Sequence, residues 1–386
     1  MKILLPSAAA AVMQRLRQHQ INTWVIGGAV RDSLLDRPVS GWDLTADCTL
    51  QQLVEALPDA KPVGGTYDTV CLHGIMIAPC RTGSEDGGLR ADLARRDFTV
   101  NAMAWDGEVV TDPYHGRYDL LDRVLRCVGE PQQRFAEDAL RILRLYRFAA
   151  VLDFIPEPAT EAAALRMAGT VGWLGTQQVR AELEKALAGV RPSALWPLIA
   201  TGGLRPFGLW AEPEVIRQAQ AAGQNPLLPL DAVPAVLLLR WWVLAKLCGC
   251  GLYRLETALG LGRTFARDVN RLDGFYTAGM PADRQQLKQR LMNPLPVPDD
   301  ALMLALAAAD PAFEELPGLY AALAASREPY RVQHLRITPA ELLTEGVPAK
   351  KIGAVQQCLL QAVVDSPELN VWPTLARMAQ SLKKLV

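Results

Sequence analysis

Two neighbouring stretches of sequence indicate the fold of the N-terminal part of this chain: Trp24-Val25-Ile26-Gly27-Gly28-Ala29-Val30-Arg31-Asp32 and Trp42-Asp43-Leu44-Thr45. The apolar run, the glycine pair and the second apolar run predict a strand, a tight turn, a short helix from Ala29 and a second strand. The second strand begins at an acidic residue, Asp43. A strand, a glycine turn and a helix in this order are typical of a site for phosphate groups.

The residue types in these stretches suit a nucleoside triphosphate. Gly27 and Gly28 leave room for phosphate oxygens near the main chain, and Arg31 adds a cation. Asp43 is a candidate ligand for Mg²⁺. A Gly-Gly turn by itself is more often a plain connection between a strand and a helix, so the interpretation depends on the rest of the chain.

Two later segments carry arginines in regular positions. The segment Arg95-Arg96-Asp97-Phe98-Thr99-Val100-Asn101-Ala102 places adjacent arginines before a pattern that suits a strand or the start of a helix. The segment Glu137-Asp138-Ala139-Leu140-Arg141-Ile142-Leu143-Arg144-Leu145-Tyr146-Arg147-Phe148 repeats charged residues at every third position. On a helix this spacing puts them on one side. The simpler interpretation is an amphipathic helix with an ion pair between residues 138 and 141.

The pattern of elements changes near Asp112-Pro113. Short strands precede this point, including a hairpin over 69–78 with a His73-Gly74 turn, and helical periodicity follows it. This order predicts an α+β protein with a small mixed head over 1–112, followed by a helical neck over 113–190, body over 191–310 and tail over 311–386. Helices are predicted over 159–168, 177–187, 234–247, 255–272, 283–291, 301–309 and 354–364.

Composition predicts a soluble, cytoplasmic, multidomain protein. The 386 residues are 50% hydrophobic and 21% charged, which is enough to bury more than one core. The seven cysteines have no recurring metal-ligand spacing and indicate reduced thiols. The apolar segment 227–247 contains prolines and charges and predicts a buried helix rather than a membrane span. The first apolar residues are too few for a signal peptide.

Taken together, these motifs resemble those of the class II tRNA nucleotidyltransferases, the bacterial CCA-adding enzymes and their poly(A) polymerase relatives. The resemblance extends over nearly the whole chain. It rests on the glycine turn, the Arg95–Ala102 block, the Gly116–Gly129 link, the helix that begins near Glu137, and the tail segment Ile337–Gly353.

The resemblance implies extension of the tRNA 3′ end with C, A or both, from CTP and ATP and with Mg²⁺. Asp138 and Arg141 would select the base, because cytosine and adenine both present an exocyclic amine beside an unprotonated ring nitrogen. Arg96, Arg144 and Arg147 would hold the triphosphate, as would the turn at Gly27, Gly28 and Arg31. Asn101 would help to seat the sugar.

The chain departs from the family pattern at the acidic positions. The first carboxylate of an Asp-x-Asp pair is replaced by Gly41, and a further acidic position aligns with Met76. Asp43 is the remaining acidic residue of that pair, with Asp68, Glu85 and Asp86 as candidates to compensate. The alternative is therefore a catalytically weakened relative that binds tRNA or nucleotide.

RNA binding must come from a local basic surface, because the net charge is −1. The tail is the best candidate for that surface. The resemblance and the basic residues point to Lys350, Lys351, Lys383 and Lys384. The same lysines are also compatible with an ordinary helical surface. The sequence leaves open the oligomeric state and which of the three nucleotides of a CCA end is added.

Overall fold

The chain forms two compact units in the computed structural model, which describes residues 3–63, 69–80 and 88–383. The units are Met1–Ala186 and Leu187–Val386. Every described strand lies in the first unit, and the second is built from helices. The predicted α+β class is confirmed, whereas the finer division into head, neck, body and tail stays a prediction.

The strands of the first unit form one large and one small sheet. Their bounds are β1 (Thr23–Ile26), β2 (Asp43–Ala46), β3 (Lys61–Val63), β4 (Thr69–Leu72), β5 (Ile75–Pro79), β6 (Ala104–Trp105), β7 (Val110–Thr111), β8 (Val124–Leu125) and β9 (Ile155–Pro156). The large sheet has the order β3-β4-β5-β2-β1-β6-β7, and β8 pairs with β9.

The register of the central strands determines where Asp43 lies. Strands β1 and β2 are antiparallel, and Ile26 at the end of β1 faces Asp43 at the start of β2. Gly27 directly follows Ile26, so the glycine turn and the acidic residue lie at the same edge of the sheet. Strand β5 runs parallel to β2 on its other side, with Met76 opposite Asp43.

The helices of the first unit connect and cover these strands. They are α1 (Ser7–Gln18), α2 (Gly28–Leu34), α3 (Leu50–Ala56), α4 (Gly88–Ala94), α5 (Gly116–Leu121), α6 (Pro131–Glu137), α7 (Leu140–Leu152), α8 (Pro158–Arg166) and α9 (Thr176–Leu187). The core around the glycine turn consists of small and branched side chains from β1, α4, the segment before β6, β6 itself and the loop after β8, namely Ile26, Leu93, Ala102, Ala104 and Val128.

Several local predictions are confirmed and others are corrected. The hairpin of β4 and β5 is present, with left-handed backbone at His73 and Gly74. Helix α2 begins at Gly28, one residue earlier than predicted. The segment after Arg95 contains a short 3-10 helix over Thr99–Asn101.

The helix predicted to begin near Glu137 is α7, which begins three residues later, at Leu140. Asp138 has extended backbone between α6 and α7, and its Oδ1 accepts a hydrogen bond from the Leu140 amide at 2.9 Å. This bond satisfies a free amide at the start of α7, so the carboxylate favours a break at that point.

The second unit contains helices throughout its length. They are α10 (Trp196–Ala200), α11 (Pro213–Ala222), α12 (Leu237–Cys248), α13 (Leu252–Leu259), α14 (Arg263–Thr277), α15 (Arg284–Leu291), α16 (Asp299–Ala309), α17 (Leu316–Ser326), α18 (Pro339–Thr344), α19 (Ile352–Asp365) and α20 (Trp372–Leu382). The predicted helix over 255–272 is two helices, because Gly260 and Gly262 both adopt positive φ between them. Within the residues described, no helix is long and apolar enough to cross a bilayer.

Candidate functional site

A cavity of about 370 Å³ in the first unit brings most of the predicted site residues together. Its lining is strongly polar, with six arginines and three aspartates. The lining residues are Gly28, Arg31, Asp43, Arg95, Arg96, Asp97, Asn101, Asp138, Leu140, Arg141, Arg144, Arg147 and Phe148. Segments far apart in the sequence therefore converge on one cavity, as the predicted nucleotide site requires.

The two glycines of the turn have different roles. Gly27 has a φ of 66°, and a Cβ there would lie 3.1 Å from Nη1 of Arg96. Gly28 has no positive φ, lines the cavity, and would place a Cβ 3.5 Å from Nη2 of Arg31. Gly27 thus permits the turn and makes room for an arginine, whereas Gly28 forms part of the cavity wall.

Asp43 keeps solvent access at the start of β2. Desolvation by the surrounding walls raises its pKa, and the positive charge of Arg96 acts in the opposite direction. Arg96 itself is held by Asp92, whose Oδ2 lies 2.9 Å from its Nη2.

A buried chain of polar contacts connects α2 with α7. Arg31 forms two hydrogen bonds of 2.9 Å to Asp32, and its Nη1 donates to Oδ1 of Asn101 at 2.6 Å. Asn101 donates to Oδ1 of Asp97 at 3.0 Å, and Arg144 donates through Nε to Oδ2 of Asp97 at 2.7 Å. Arg31 and Arg144, which were predicted to hold phosphates, therefore have fixed positions before any ligand binds. The same is true of Asn101, which was predicted to contact the sugar.

Asp97 is the centre of this chain. Burial raises its pKa, but the charge of Arg144 and the hydrogen bonds from Asn101, Arg144 and the Phe98 amide outweigh burial and lower the pKa to about 2. Asp97 is therefore ionised at neutral pH. The sequence pattern did not single it out, although it lies within the Arg95–Ala102 block.

Arg147 lies on α7 one turn after Arg144 and, like Arg144, pairs with a buried carboxylate. Its Nε lies 2.5 Å from Oε2 of Glu182, which is buried on α9, and its guanidinium lies 3.8 Å from the centre of the Phe148 ring. Burial lowers the pKa of Arg147 to about 10 although Glu182 acts to raise it, so the side chain stays charged at neutral pH. Neither Glu182 nor Phe148 was predicted as a site residue.

Asp138 and Arg141 both line the cavity, but no ion pair joins them in the residues described. Arg141 instead pairs with Glu137, at 3.0 Å, and donates to the carbonyl oxygens of Arg134 and Arg95. The simpler interpretation of this segment, an ion pair between residues 138 and 141, is therefore wrong.

The predicted RNA-binding lysines lie in the second unit. Lys350 is exposed, whereas Lys351 and Lys383 are partly buried. The ammonium of Lys351 donates to the carbonyl of Lys383 at 3.3 Å, and that of Lys383 donates to the carbonyl of Glu345 at 3.2 Å. Lys384 lies outside the described residues.

A divalent cation in this cavity would need oxygen ligands from the side chains around it. Across 3–63, 69–80 and 88–383, no three His, Cys, Asp or Glu side chains are grouped so that they could hold a metal ion. Asp68, Glu85 and Asp86, the candidates to compensate for Gly41 and Met76, lie outside these ranges. Among the described residues, Asp43 suits one Mg²⁺ that takes most of its ligands from water and phosphate groups, and no acidic group for a second protein-held ion accompanies it.

Comparison with known proteins shows which proteins this chain is similar to. Residues 23–126 match the poly(A) polymerase head domain. A CCA-adding enzyme of Geobacillus stearothermophilus is 34% identical over 233 residues, which are 55% of this chain and 57% of that enzyme. A CC-adding tRNA nucleotidyltransferase of Halalkalibacterium halodurans is 31% identical over 234 residues, 59% of this chain and 62% of that protein. The matched region thus spans little more than half the length of these relatives.

Solved structures extend the likeness of fold to nearly the whole chain. The CCA-adding enzyme of Bacillus stearothermophilus in complex with CTP has a TM-score of 0.68 at 24% identity, covering 99% of this chain and 100% of that one. The Thermotoga maritima CCA-adding enzyme complexed with tRNA has a TM-score of 0.66 at 20% identity, covering 98% and 97%. The predicted resemblance to the class II tRNA nucleotidyltransferases is confirmed, and the fold is that of the bacterial CCA-adding enzymes.

Proposed function

We propose that this protein is a template-independent tRNA nucleotidyltransferase that adds C, A or both to the tRNA 3′ end from CTP and ATP. The observation that carries the proposal is the convergence of Asp43, Asp138 and six arginines on one cavity. Relatives named for CCA and CC addition support the choice of RNA and nucleotides. The seven free thiols agree with a cytoplasmic location.

Base selection would use the two polar side chains at the junction of α6 and α7. Oδ1 of Asp138 is bonded to the Leu140 amide, which leaves Oδ2 to accept from the exocyclic amine of cytosine or adenine. Arg141 would donate to the adjacent ring nitrogen. Uracil and guanine present the opposite donor and acceptor pattern and would be rejected.

The triphosphate would lie along the arginines of α2 and α7 and Arg96, which follows the end of α4. Arg31, Arg96, Arg144 and Arg147 each have a carboxylate partner, which fixes the guanidinium and offsets part of its charge. A triphosphate bound beside these carboxylates is stabilised by a divalent cation that binds together with it. We propose Mg²⁺, with Asp43 as its protein ligand, and the ion would neutralise charge on the phosphates.

The test is nucleotide incorporation. Purified protein is incubated with Mg²⁺, labelled CTP, ATP, UTP or GTP, and tRNA transcripts that end before CCA, before CA or before A. We expect incorporation of C, A or both at the position the transcript requires, and none of U or G. Binding of CTP without incorporation would instead identify the weakened relative. Absence of both binding and incorporation would overturn the proposal.

A further inference from the structure

Three of the arginines around the cavity lie against a single aromatic ring, that of Phe148. Cζ of Arg147 lies 3.8 Å from the centre of this ring, Cζ of Arg31 lies 5.0 Å from it and Cζ of Arg144 lies 5.4 Å from it. The face of an aromatic ring attracts a cation within about 6 Å of its centre. Arg31 belongs to α2 and the other two arginines to α7, so one ring contacts cations from both helices.

The Phe148 ring is itself held in place. It is 4% exposed and lines the cavity. The fully buried Phe98 packs against it edge to face, with ring centres 5.9 Å apart and planes at 86°. An attraction between a cation and a ring is stronger where both are withdrawn from water. The ring is therefore a fixed apolar surface on which the guanidinium groups rest.

The three guanidinium groups are close enough to repel one another. Burial lowers the pKa of Arg147 to about 10, and the positive charges of Arg144 and Arg31 act in the same direction. The face of the Phe148 ring carries partial negative charge and lies beside all three groups. It therefore offsets part of their repulsion while no ligand is bound.

A ring face also fixes a guanidinium without using its hydrogen-bond donors. The N–H groups of a guanidinium point outward in its plane, so stacking on a ring leaves them available for phosphate oxygens. A carboxylate partner acts differently, because it occupies donors. Asp32, for example, accepts from both Nε and Nη2 of Arg31. The ring can thus position the arginines and leave donors for a ligand.

We infer that Phe148 is a positioning residue for the triphosphate, because its ring holds Arg31, Arg144 and Arg147 together at the wall of the cavity. This inference rests on the proposed function. The three arginines would bind phosphates, whereas the base would meet Asp138 and Arg141. Phe148 should therefore affect binding of the phosphates and leave the choice of base unchanged.

The first test compares Phe148→Leu with Phe135→Leu. Phe135 is buried on α6 and is not one of the described residues that line the cavity. Both substitutions remove a buried ring, so both should lower the melting temperature. Only Phe148→Leu should weaken equilibrium binding of CTP and ATP, by about tenfold for each. Binding of CMP, which has a single phosphate, should weaken less.

The second test separates the electrons of the ring from its shape. Phenylalanine analogues with increasing numbers of ring fluorines are incorporated at position 148, up to a fully fluorinated ring. Fluorine withdraws electrons from the ring face and nearly preserves the size and apolar character of the side chain. We expect CTP affinity to decrease stepwise along this series, more than CMP affinity does. The same analogues at position 135 should leave CTP affinity unchanged.

The outcomes separate this inference from the proposed function. If the wild-type protein binds no CTP, the proposed function fails. If it binds CTP with the same affinity along the whole fluorinated series, Phe148 acts through packing alone and the inference is overturned, even where Phe148→Leu weakens binding. Equal losses for CTP and CMP, or a changed preference for CTP over UTP, would overturn it as well.

Discussion

At the scale of single residues, carboxylate partners determine what the arginines around the cavity can do. Arg31, Arg144 and Arg147 pair with Asp32, Asp97 and Glu182, so the site is organised before a ligand arrives. The arginines were visible in the sequence because of their spacing. Their partners were not, because Asp97 and Glu182 act through contacts that connect distant segments.

Substitutions at Asp43 and Gly41 test whether Asp43 binds the proposed metal ion. Asp43→Asn keeps the size of the side chain and should abolish nucleotide incorporation without lowering the melting temperature, because the group is exposed to solvent. A Cβ at Gly41 meets no atom within 4 Å, so Gly41→Asp can be accommodated. We expect that variant to keep or raise the wild-type rate. Full activity in Asp43→Asn would place the metal elsewhere, and a sharp loss in Gly41→Asp would show that the glycine backbone is required.

Asp97 gives a prediction for stability and pH. Its pKa of about 2 in the folded protein lies below the ordinary value of 3.8, so the ionised form contributes about 2 kcal/mol to the free energy of unfolding. This contribution is complete above about pH 4 and is lost as the pH falls from about 4 to about 2. Asp97→Asn should therefore lower the free energy of unfolding at pH 7 and reduce its dependence on pH in that window.

Urea unfolding at pH 7, 4 and 2.5 measures the effect, with the exposed Asp122→Asn as the matched control. Equal stability of Asp97→Asn and wild type at pH 7 would contradict the role of Asp97 as the centre of the contacts between Arg144 and Asn101.

At the scale of elements, the sequence predicted the parts with strong local signals. The β4–β5 hairpin follows from alternating residues around a His-Gly turn, and α15 follows from Asp283, whose side chain accepts from the Gln286 amide. Breaks within helical periodicity were missed where they depend on a single cap or turn. The capping carboxylate of Asp138 makes α7 begin later than the periodicity predicts, and two glycines separate α13 from α14.

The glycine turn provides a matched pair of variants at the element scale. Gly27→Ala places a side chain in left-handed backbone and within 3.1 Å of Arg96, and we expect a loss of about 1–3 kcal/mol in the free energy of unfolding, with weaker nucleotide binding. Gly28→Ala meets only ordinary contacts, so it should keep stability and lower nucleotide affinity alone. Thermal unfolding and CTP titration distinguish the two. Equal stability of both variants would show that the positive φ at Gly27 is not needed.

At the scale of the whole molecule, the net charge of −1 gives no general attraction for RNA. The order of motifs was sufficient to predict a mixed head followed by helices, because each segment carries its own periodicity. The role of individual surface lysines could not be predicted in the same way, since it depends on which carbonyl oxygens lie within reach. Lys351 and Lys383 bind carbonyl oxygens of the second unit itself, whereas Lys350 remains exposed.

Charge reversal at Lys350 and Lys351 separates a role in RNA binding from a role in stability. Lys350→Glu should weaken tRNA binding and lower the slope of log K against log salt by ~0.7 to 0.9 for one lost phosphate contact, at an unchanged melting temperature. Lys351→Glu should weaken tRNA binding and also lower the melting temperature, because the ammonium of Lys351 holds the carbonyl of Lys383.

The exposed Lys61→Glu in the first unit makes the same change of net charge and serves as the control. Filter binding of tRNA from 50 to 200 mM salt, together with CTP titration, measures each variant. CTP affinity should be retained in all three, and an unchanged tRNA slope in Lys350→Glu would assign the RNA contact to other arginines and lysines.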